Sequence, residues 1–290
     1  MARCLIGLGF NLGDRRAILD FAIEHFETLP NVSVQSVSEW LSTEPIGGPS
    51  GQGGFLNGAA ILKTVLPPHE LLGQLRQVET TLGRERRIRW DARTLDVDIL
   101  LYDDLIVQSE TLVIPHPRMT CRRFVLEPTA EIAPDWVHPE IQWTIGRLFE
   151  HLQAAPPNFV LCGSNFTPDL VSRIVDRTRG ILQYTPDGEC SGDCSAADNA
   201  TTLESSDDQS NSNQNRLWWV DSLKVLNEVA TKDSVKLFII PICGSAEQRD
   251  LALEMRELVI QQKAAPVVTI STDDQVVIEN EAVAAIEAMK

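Results

Sequence analysis

The stretch from Leu95 to Leu101 constrains the fold of this chain more than any other. Its odd-numbered residues are all apolar, whereas Asp96 and Asp98 occupy two of the alternate positions. A period of two is the side-chain period of a β-strand. The pattern therefore predicts a strand with an apolar face on one side and both carboxylates on the other.

An arginine-dense segment lies immediately before this strand. It contains Arg84, Arg86, Arg87, Arg89 and Arg93. Guanidinium groups offer planar, forked donors that match phosphate oxygens. Carboxylates at positions i and i+2 of a strand can jointly hold Mg²⁺, which usually takes its other ligands from substrate phosphates and water. An Asp-x-Asp pair alone is more often a solvated face, but the adjacent arginines favour phosphoryl chemistry on a metal–nucleotide complex.

Composition limits the class of protein. The chain has 290 residues, 43% of them hydrophobic, which is enough for one large domain or two modest ones. No apolar run approaches the ~20 residues that span a bilayer, and the first dozen residues lack the pattern of a cleaved leader, so we expect a cytoplasmic protein without membrane partners. A net charge of −16 argues against general nucleic-acid binding. The six cysteines are scattered without histidines that would complete a zinc site, and we interpret them as reduced thiols.

The periodicity predicts two domains, residues 1–153 and 159–290, joined by a linker at 154–158. In the first we expect strands at 3–9, 32–41, 55–66 and 95–101, helices after Asp14 and Pro67, a hairpin formed by a turn at Asp103-Asp104 and a strand at 105–108, and a helix ending near Pro128. The Gly/Pro-rich segment 43–54 is longer than most connections. It fits either an active-site lid or a disordered insertion.

The second domain has a different pattern. Short apolar runs alternate with helical patterns, which predicts a smaller α/β domain with a largely parallel sheet. The expected strands are 159–162, 181–184, 236–243 and 266–271, and the expected helices are 170–179, 217–231, 247–262 and 276–289. Residues 185–215 are acidic, polar and without basic residues, so we expect a disordered segment there.

Four motifs together carry a family resemblance. They are Gly9-Phe10-Asn11-Leu12-Gly13, Phe55-Leu56-Asn57, the segment Arg89 to Leu101, and Pro115-His116-Pro117-Arg118-Met119. In this order and spacing, residues 3–152 resemble the 6-hydroxymethyl-7,8-dihydropterin pyrophosphokinases. The resemblance implies an α+β ferredoxin-like domain that acts in folate biosynthesis. It also implies transfer of the β,γ-diphosphate of ATP to the hydroxymethyl group of the pterin, with release of AMP.

The resemblance also implies roles for individual residues. Asp96 and Asp98 would hold two Mg²⁺ ions and act in catalysis with Arg84 and Arg93, while ATP, the co-substrate, would contact the residues Glu79, Arg84, Arg93, His116 and Arg122. The pterin would contact Thr43, Pro45, Ile46, Phe55, Asn57, Trp90 and Phe124. Phe124 fits an ordinary core position equally well. The chain departs from the family pattern at Phe10, at Phe55 and in a shorter arginine segment, which leaves open which of Arg86, Arg87 and Arg89 faces phosphate.

The second domain resembles, at most, a degenerate relative of the P-loop deoxynucleoside kinases. Its turn at Gly163-Ser164-Asn165 stands where a phosphate-binding turn would stand, but no Gly-Lys-Ser/Thr follows. A structural or interaction domain is the alternative. Two further functions compete with a pyrophosphokinase: a regulatory protein that binds nucleotide or pterin without turnover, and a bifunctional enzyme with a nucleoside kinase tail. The expected partners are small molecules.

Overall fold

A computed structural model describes residues 1–11, 15–45, 53–81, 95–184, 215–230 and 235–289. The chain forms two compact units, Met1–Glu150 and His151–Lys290. Within the described ranges, no helix is both long and apolar enough to cross a membrane. The division falls a few residues before the predicted boundary at 153. Of the predicted linker 154–158, Ala154 is the last residue of a helix and Asn158 the first of a strand, so a linker in the strict sense is confined to 155–157.

The first unit alternates strands and helices. Its elements are β1 (Ala2–Phe10), α1 (Arg15–Thr28), β2 (Val32–Val37), β3 (Leu41–Thr43), β4 (Phe55–Thr64), α2 (Pro68–Thr81), β5 (Asp96–Tyr102), β6 (Val107–Gln108), β7 (Val113–Ile114), a 3₁₀ turn (Met119–Cys121), α3 (Arg123–Ile132) and α4 (Ile145–Ala154).

The sheet of the first unit is antiparallel, with strand order β2-β4-β1-β5 and β3 added to β4. The even-numbered residues of β1 are buried against α1 and α2, in one core with Ala60 and Leu62 of β4 and with Val97 and Ile99 of β5. Because strand side chains alternate between faces, the odd-numbered residues of β1 face the opposite side, where α3 packs against β4 and β1. This second face carries the polar residues described below.

The predicted strand 32–41 is two strands, because the regular pairing with β4 is interrupted at residues 38–40. The Ser38 hydroxyl accepts a hydrogen bond from the Ala59 N–H at 2.9 Å. The indole of Trp40 then lies directly over Gly58, where a Cβ would be 2.3 Å from the ring. Glycine at position 58 therefore lets the tryptophan pack on the sheet and directs the chain into β3.

Two other predictions for this unit were wrong. β6 pairs with β7 rather than forming a hairpin with β5. Pro128 lies inside α3 instead of ending it. The helix continues past the proline because its next turn is held by other contacts: the Thr129 hydroxyl, fully buried, donates to the Val125 carbonyl at 2.7 Å.

The second unit is an α/β layer. Its elements are β8 (Asn158–Cys162), α5 (Pro168–Thr178), β9 (Ile181–Tyr184), β10 (Arg216–Val220), α6 (Leu223–Ala230), β11 (Leu237–Pro241), α7 (Ala246–Gln262), β12 (Val267–Ile270) and α8 (Gln275–Ala288). The five strands are all parallel, in the order β12-β11-β8-β10-β9. The prediction of a parallel α/β sheet is confirmed.

The helix predicted at 217–231 was wrong in its first turn. Trp218, Trp219 and Val220 belong to the buried strand β10, and the helix begins only at Leu223. Aromatic and β-branched residues favour strands, and their continuous apolar run cannot be distinguished from a buried helix by periodicity. Asn215, the last residue of the predicted disordered segment, is buried and donates to the Thr178 carbonyl at 2.9 Å; residues 185–214 lie outside the described residues.

Candidate functional site

One row of residues crosses the second face of the first sheet. In β1, Gly9 lies directly opposite Asn57 of β4 on one side and Asp96 of β5 on the other. Directly opposed residues of neighbouring strands point to the same face. An amide and a carboxylate therefore stand on either side of a position that has no side chain.

The two aspartates lie on that face as the sequence predicts. Asp96 and Asp98 are the first and third residues of β5, and Val97 between them is buried in the core beneath. The Asp98 side chain is 44% exposed. Within the described part of the chain, no group of three or more His, Cys, Asp or Glu side chains could hold a metal ion by itself. Two accessible carboxylates match a hard cation that takes its other ligands from phosphate and water.

His116 lies beside these carboxylates in a defined tautomer. Its Nδ1 accepts a hydrogen bond from the Arg118 N–H at 3.2 Å, which places the remaining proton on Nε2, 3.7 Å from the nearer Asp98 oxygen. Burial, together with the positive charges of Arg122 and Arg118, lowers the pKa of His116 to about 3, although the carboxylate of Asp96 acts in the opposite direction. The imidazole is therefore neutral at physiological pH and offers an N–H donor.

Arg122 and Phe124 stand at the start of α3. The Arg122 guanidinium lies 5.5 Å from the centre of the Phe124 ring, within the range of a cation–π contact. Phe124 is half-buried, which fits both the pterin contact and the core position expected from the sequence. Because the positive charge of Arg122 also lowers the pKa of His116, these two side chains, both assigned to the nucleotide, lie near each other.

Glu79 has a different position from that expected of a direct nucleotide ligand. It lies on α2, is only 2% exposed, and its carboxylate accepts a hydrogen bond from the Val97 N–H at 2.9 Å. Val97 is the residue between the two aspartates. The contact favours a positioning role, in which α2 fixes the backbone that carries Asp96 and Asp98.

The residues expected to bind the pterin meet where β3 and β4 pair. Asn57 is 4% exposed, and its side-chain N–H donates to the Thr43 hydroxyl at 2.8 Å. Phe55, half-buried, lies opposite Thr43 in the ladder, and the half-buried Pro45 follows β3. The four residues therefore come together at the same end of the sheet as the aspartates. Ile46, Arg84, Trp90 and Arg93 lie outside the described residues.

Sequence reasoning missed two features of the site: the open position at Gly9 and the backbone contact of Glu79. The first had a signal, because Gly7 and Gly9 alternate with the apolar residues of β1 and so predict a face without side chains. The second had none, since a glutamate on an amphipathic helix is ordinarily solvated.

Paired carboxylates, a neutral histidine and an arginine around an open strand face are typical of an enzyme that transfers phosphoryl groups from a metal–nucleotide complex. Residues 5–134 match the family model described as 7,8-dihydro-6-hydroxymethylpterin-pyrophosphokinase (HPPK). The chain belongs to this family, since it also covers most of the length of curated members at 40% identity or more.

Three of these relatives carry the same name, 2-amino-4-hydroxy-6-hydroxymethyldihydropteridine pyrophosphokinase. The protein of Methylorubrum extorquens is 44% identical over 137 residues, which are 47% of this chain and 86% of the relative. That of Pseudomonas aeruginosa is 40% identical over 155 residues, 53% of this chain and 92% of the relative. That of Bacillus subtilis is 46% identical over 127 residues, 44% and 75% respectively. The family match ends at residue 134, within the first unit.

Proposed function

We propose that the first unit transfers the diphosphate group of ATP to the hydroxymethyl group of 6-hydroxymethyl-7,8-dihydropterin, with release of AMP, as a step of folate biosynthesis. The observation that carries the proposal is the row Asn57–Gly9–Asp96, which sets an amide able to read a heterocycle beside a carboxylate able to hold a cation. We also assign this unit to the ferredoxin-like class, because four of its strands and two of its helices follow the β-α-β-β-α-β order.

Asp96 and Asp98 would hold two Mg²⁺ ions. When bound, such cations would neutralise phosphate charge and hold the attacking hydroxyl oxygen close to the phosphorus that is transferred. Val97 anchors these carboxylates from beneath through its N–H bond to Glu79, so they are held in position before substrate arrives.

His116 and Arg122 would bind the phosphates of ATP from the side of α3. A neutral imidazole donates one hydrogen bond without adding charge next to the carboxylates, whereas the guanidinium supplies the positive charge. Arg84 and Arg93 are assigned to the same phosphates by their place in the family motif.

Asn57 would read the edge of the pterin, since its carboxamide has a donor and an acceptor and the Thr43 hydroxyl fixes its orientation. Phe55, Phe124 and Trp90 would frame the flat ring, and the backbone around Pro45 and Ile46 would add polar contacts.

The test is incubation of the full chain with ATP, Mg²⁺ and 6-hydroxymethyl-7,8-dihydropterin. We expect AMP and the pterin diphosphate in equal amounts. ADP would instead indicate simple phosphoryl transfer, and binding of both substrates without any product would indicate a regulatory protein. Asp98→Asn keeps the shape of the side chain and removes its charge, so it should lower kcat at least 100-fold with the fold unchanged. An active Asp98→Asn variant would contradict the metal assignment.

For the second unit we propose a non-catalytic relative of the P-loop deoxynucleoside kinases. The proposal is supported by the parallel sheet and by Gly163, which leaves β8 with a left-handed φ of 112° and leads into α5. The segment 163–168 contains no lysine to bind a transferred phosphate. With ATP and each deoxynucleoside in turn, the full chain should release no deoxynucleotide; phosphorylation of any of them would assign an active kinase.

A further inference from the structure

The central strand of the first sheet has an unfilled position at the centre of the candidate site. Neighbouring strands are about 4.8 Å apart, so the Cα atoms of Asn57 and Asp96, each one strand away from Gly9, are separated by roughly 10 Å. Among the described residues, only the backbone of Gly9 lies between them. A Cβ built on Gly9 would have one described neighbour within 4 Å, the Asn57 side-chain oxygen at 3.1 Å.

We infer that Gly9 is a specificity-determining residue whose missing side chain forms the floor of the pterin slot. The inference rests on the proposed function and deepens it. A methyl group at this position would occupy the space between the amide that reads the ring and the carboxylate that holds the cation. It would also lie closer to the Asn57 side-chain oxygen than Cβ atoms in proteins usually lie to their neighbours, so it would push this oxygen aside.

Asn57 cannot move away freely. It is 4% exposed, and its N–H donor is bonded to the Thr43 hydroxyl at 2.8 Å. Turning the amide away from Gly9 would stretch this bond, and leaving a buried amide without its partner is unfavourable. Any side chain at position 9 therefore both fills the slot and misaligns the group that recognises the ring.

Gly7 provides a matched control in the same strand and on the same face. A Cβ at this position would meet the two terminal methyl groups of Leu100 at 3.4 and 3.5 Å, an ordinary contact with a flexible side-chain end. Gly7→Ala adds the same methyl group to the strand and gives the same gain in β propensity. Unlike Gly9, however, Gly7 does not lie opposite Asn57.

The test measures binding to the full-length wild type, Gly9→Ala and Gly7→Ala by isothermal titration calorimetry. The probes are 6-hydroxymethylpterin, titrated in the presence of Mg²⁺ and a non-hydrolysable ATP analogue, and the Mg²⁺–analogue complex alone. We expect Gly9→Ala to weaken pterin binding at least tenfold while nucleotide affinity stays close to that of the wild type. Gly7→Ala should change pterin affinity less than threefold.

Three results would overturn the inference: pterin affinity of Gly9→Ala within threefold of the wild type, an equal loss in Gly7→Ala, or a parallel loss of nucleotide binding in Gly9→Ala. Measurements of turnover distinguish a failure of the inference about Gly9 from a failure of the proposed function. A wild type that binds pterin and nucleotide but forms no AMP contradicts the proposed reaction, whereas the comparison of the two glycine variants still decides the role of Gly9.

Discussion

Gly58→Ala should destabilise the first unit through a clash with Trp40. The added Cβ would lie 2.3 Å from two atoms of the indole ring, whereas non-bonded carbons rest about 3.5–4.0 Å apart. The ring must therefore retreat by more than 1 Å. Overpacking of this kind costs about 2–3 kcal/mol, which for a unit of this size lowers the melting temperature by about 5–10 °C.

Urea denaturation followed by circular dichroism measures the change, with two comparisons. Gly73→Ala, in the middle of α2 and with no described atom within 4 Å of its Cβ, should stabilise by about 0.5–1 kcal/mol because the helix interior favours alanine. In a Trp40→Ala background the cost of Gly58→Ala should disappear, since the clashing ring is gone. A cost below 0.5 kcal/mol, or the same cost without the indole, would refute the steric explanation.

Three further outcomes are expected. Glu79→Ala should raise the Mg²⁺ concentration needed for half-maximal turnover, because the Val97 N–H loses its acceptor. Glu79→Gln can still accept this hydrogen bond, so its Mg²⁺ requirement should stay close to that of the wild type. In the second unit, Glu279→Gln should cost about 1–2 kcal/mol at pH 7, since the Glu279 carboxylate accepts from Arg173 and Arg177 at 2.6 Å each. Residues 1–155 should catalyse the reaction alone, because every residue assigned a role lies within them.

The sign of the Glu279 effect with pH follows from its pKa. The hydrogen bond from Arg173, together with that from Arg177, lowers the pKa of this carboxyl in the folded state. Below its ordinary value of about 4.3 the unfolded chain binds more protons than the folded one, so this stabilisation is lost as pH falls through the folded pKa. The wild type should lose more stability than Glu279→Gln between pH 6 and pH 3; equal losses would contradict the linkage. An inactive Glu79→Gln variant would contradict the prediction for Glu79. A fragment of residues 1–155 that folds but is inactive would contradict the prediction that this fragment catalyses the reaction alone.

Regular alternation made β5 and its aspartates predictable from the sequence. Residues 95–99 followed one period, and their apolar side had a core to face. The break at Ser38 was not predictable in this way, because it depends on the fit of Trp40 over Gly58, a residue eighteen positions further along the chain. Local periodicity records which face is buried, but not which side chain from another element will lie there.

The same distinction applies to the candidate site. The residue types and their order indicated phosphoryl chemistry, and the family motif assigned the aspartates. The position of Glu79 depended on the packing of α2 against β5, which brings a helix carboxylate under a strand N–H. A sequence cannot distinguish a carboxylate that binds substrate from one that positions its neighbours, because the residue type and the helical spacing are the same in both cases.

The turn after β8 shows why a shared architecture does not imply a shared ligand. The Gly163 N–H donates to the Val220 carbonyl at 2.7 Å, and the Gly163 carbonyl accepts from the Trp219 indole at 3.3 Å. The Asn165 side chain donates to the Cys243 carbonyl at 3.2 Å, and the Leu170 N–H in the first turn of α5 donates to the Thr167 hydroxyl at 3.3 Å. A phosphate-binding turn presents such N–H groups to the ligand. Here the protein's own carbonyl and hydroxyl oxygens accept from them, so an anion entering this turn would have to displace hydrogen bonds that the fold already makes.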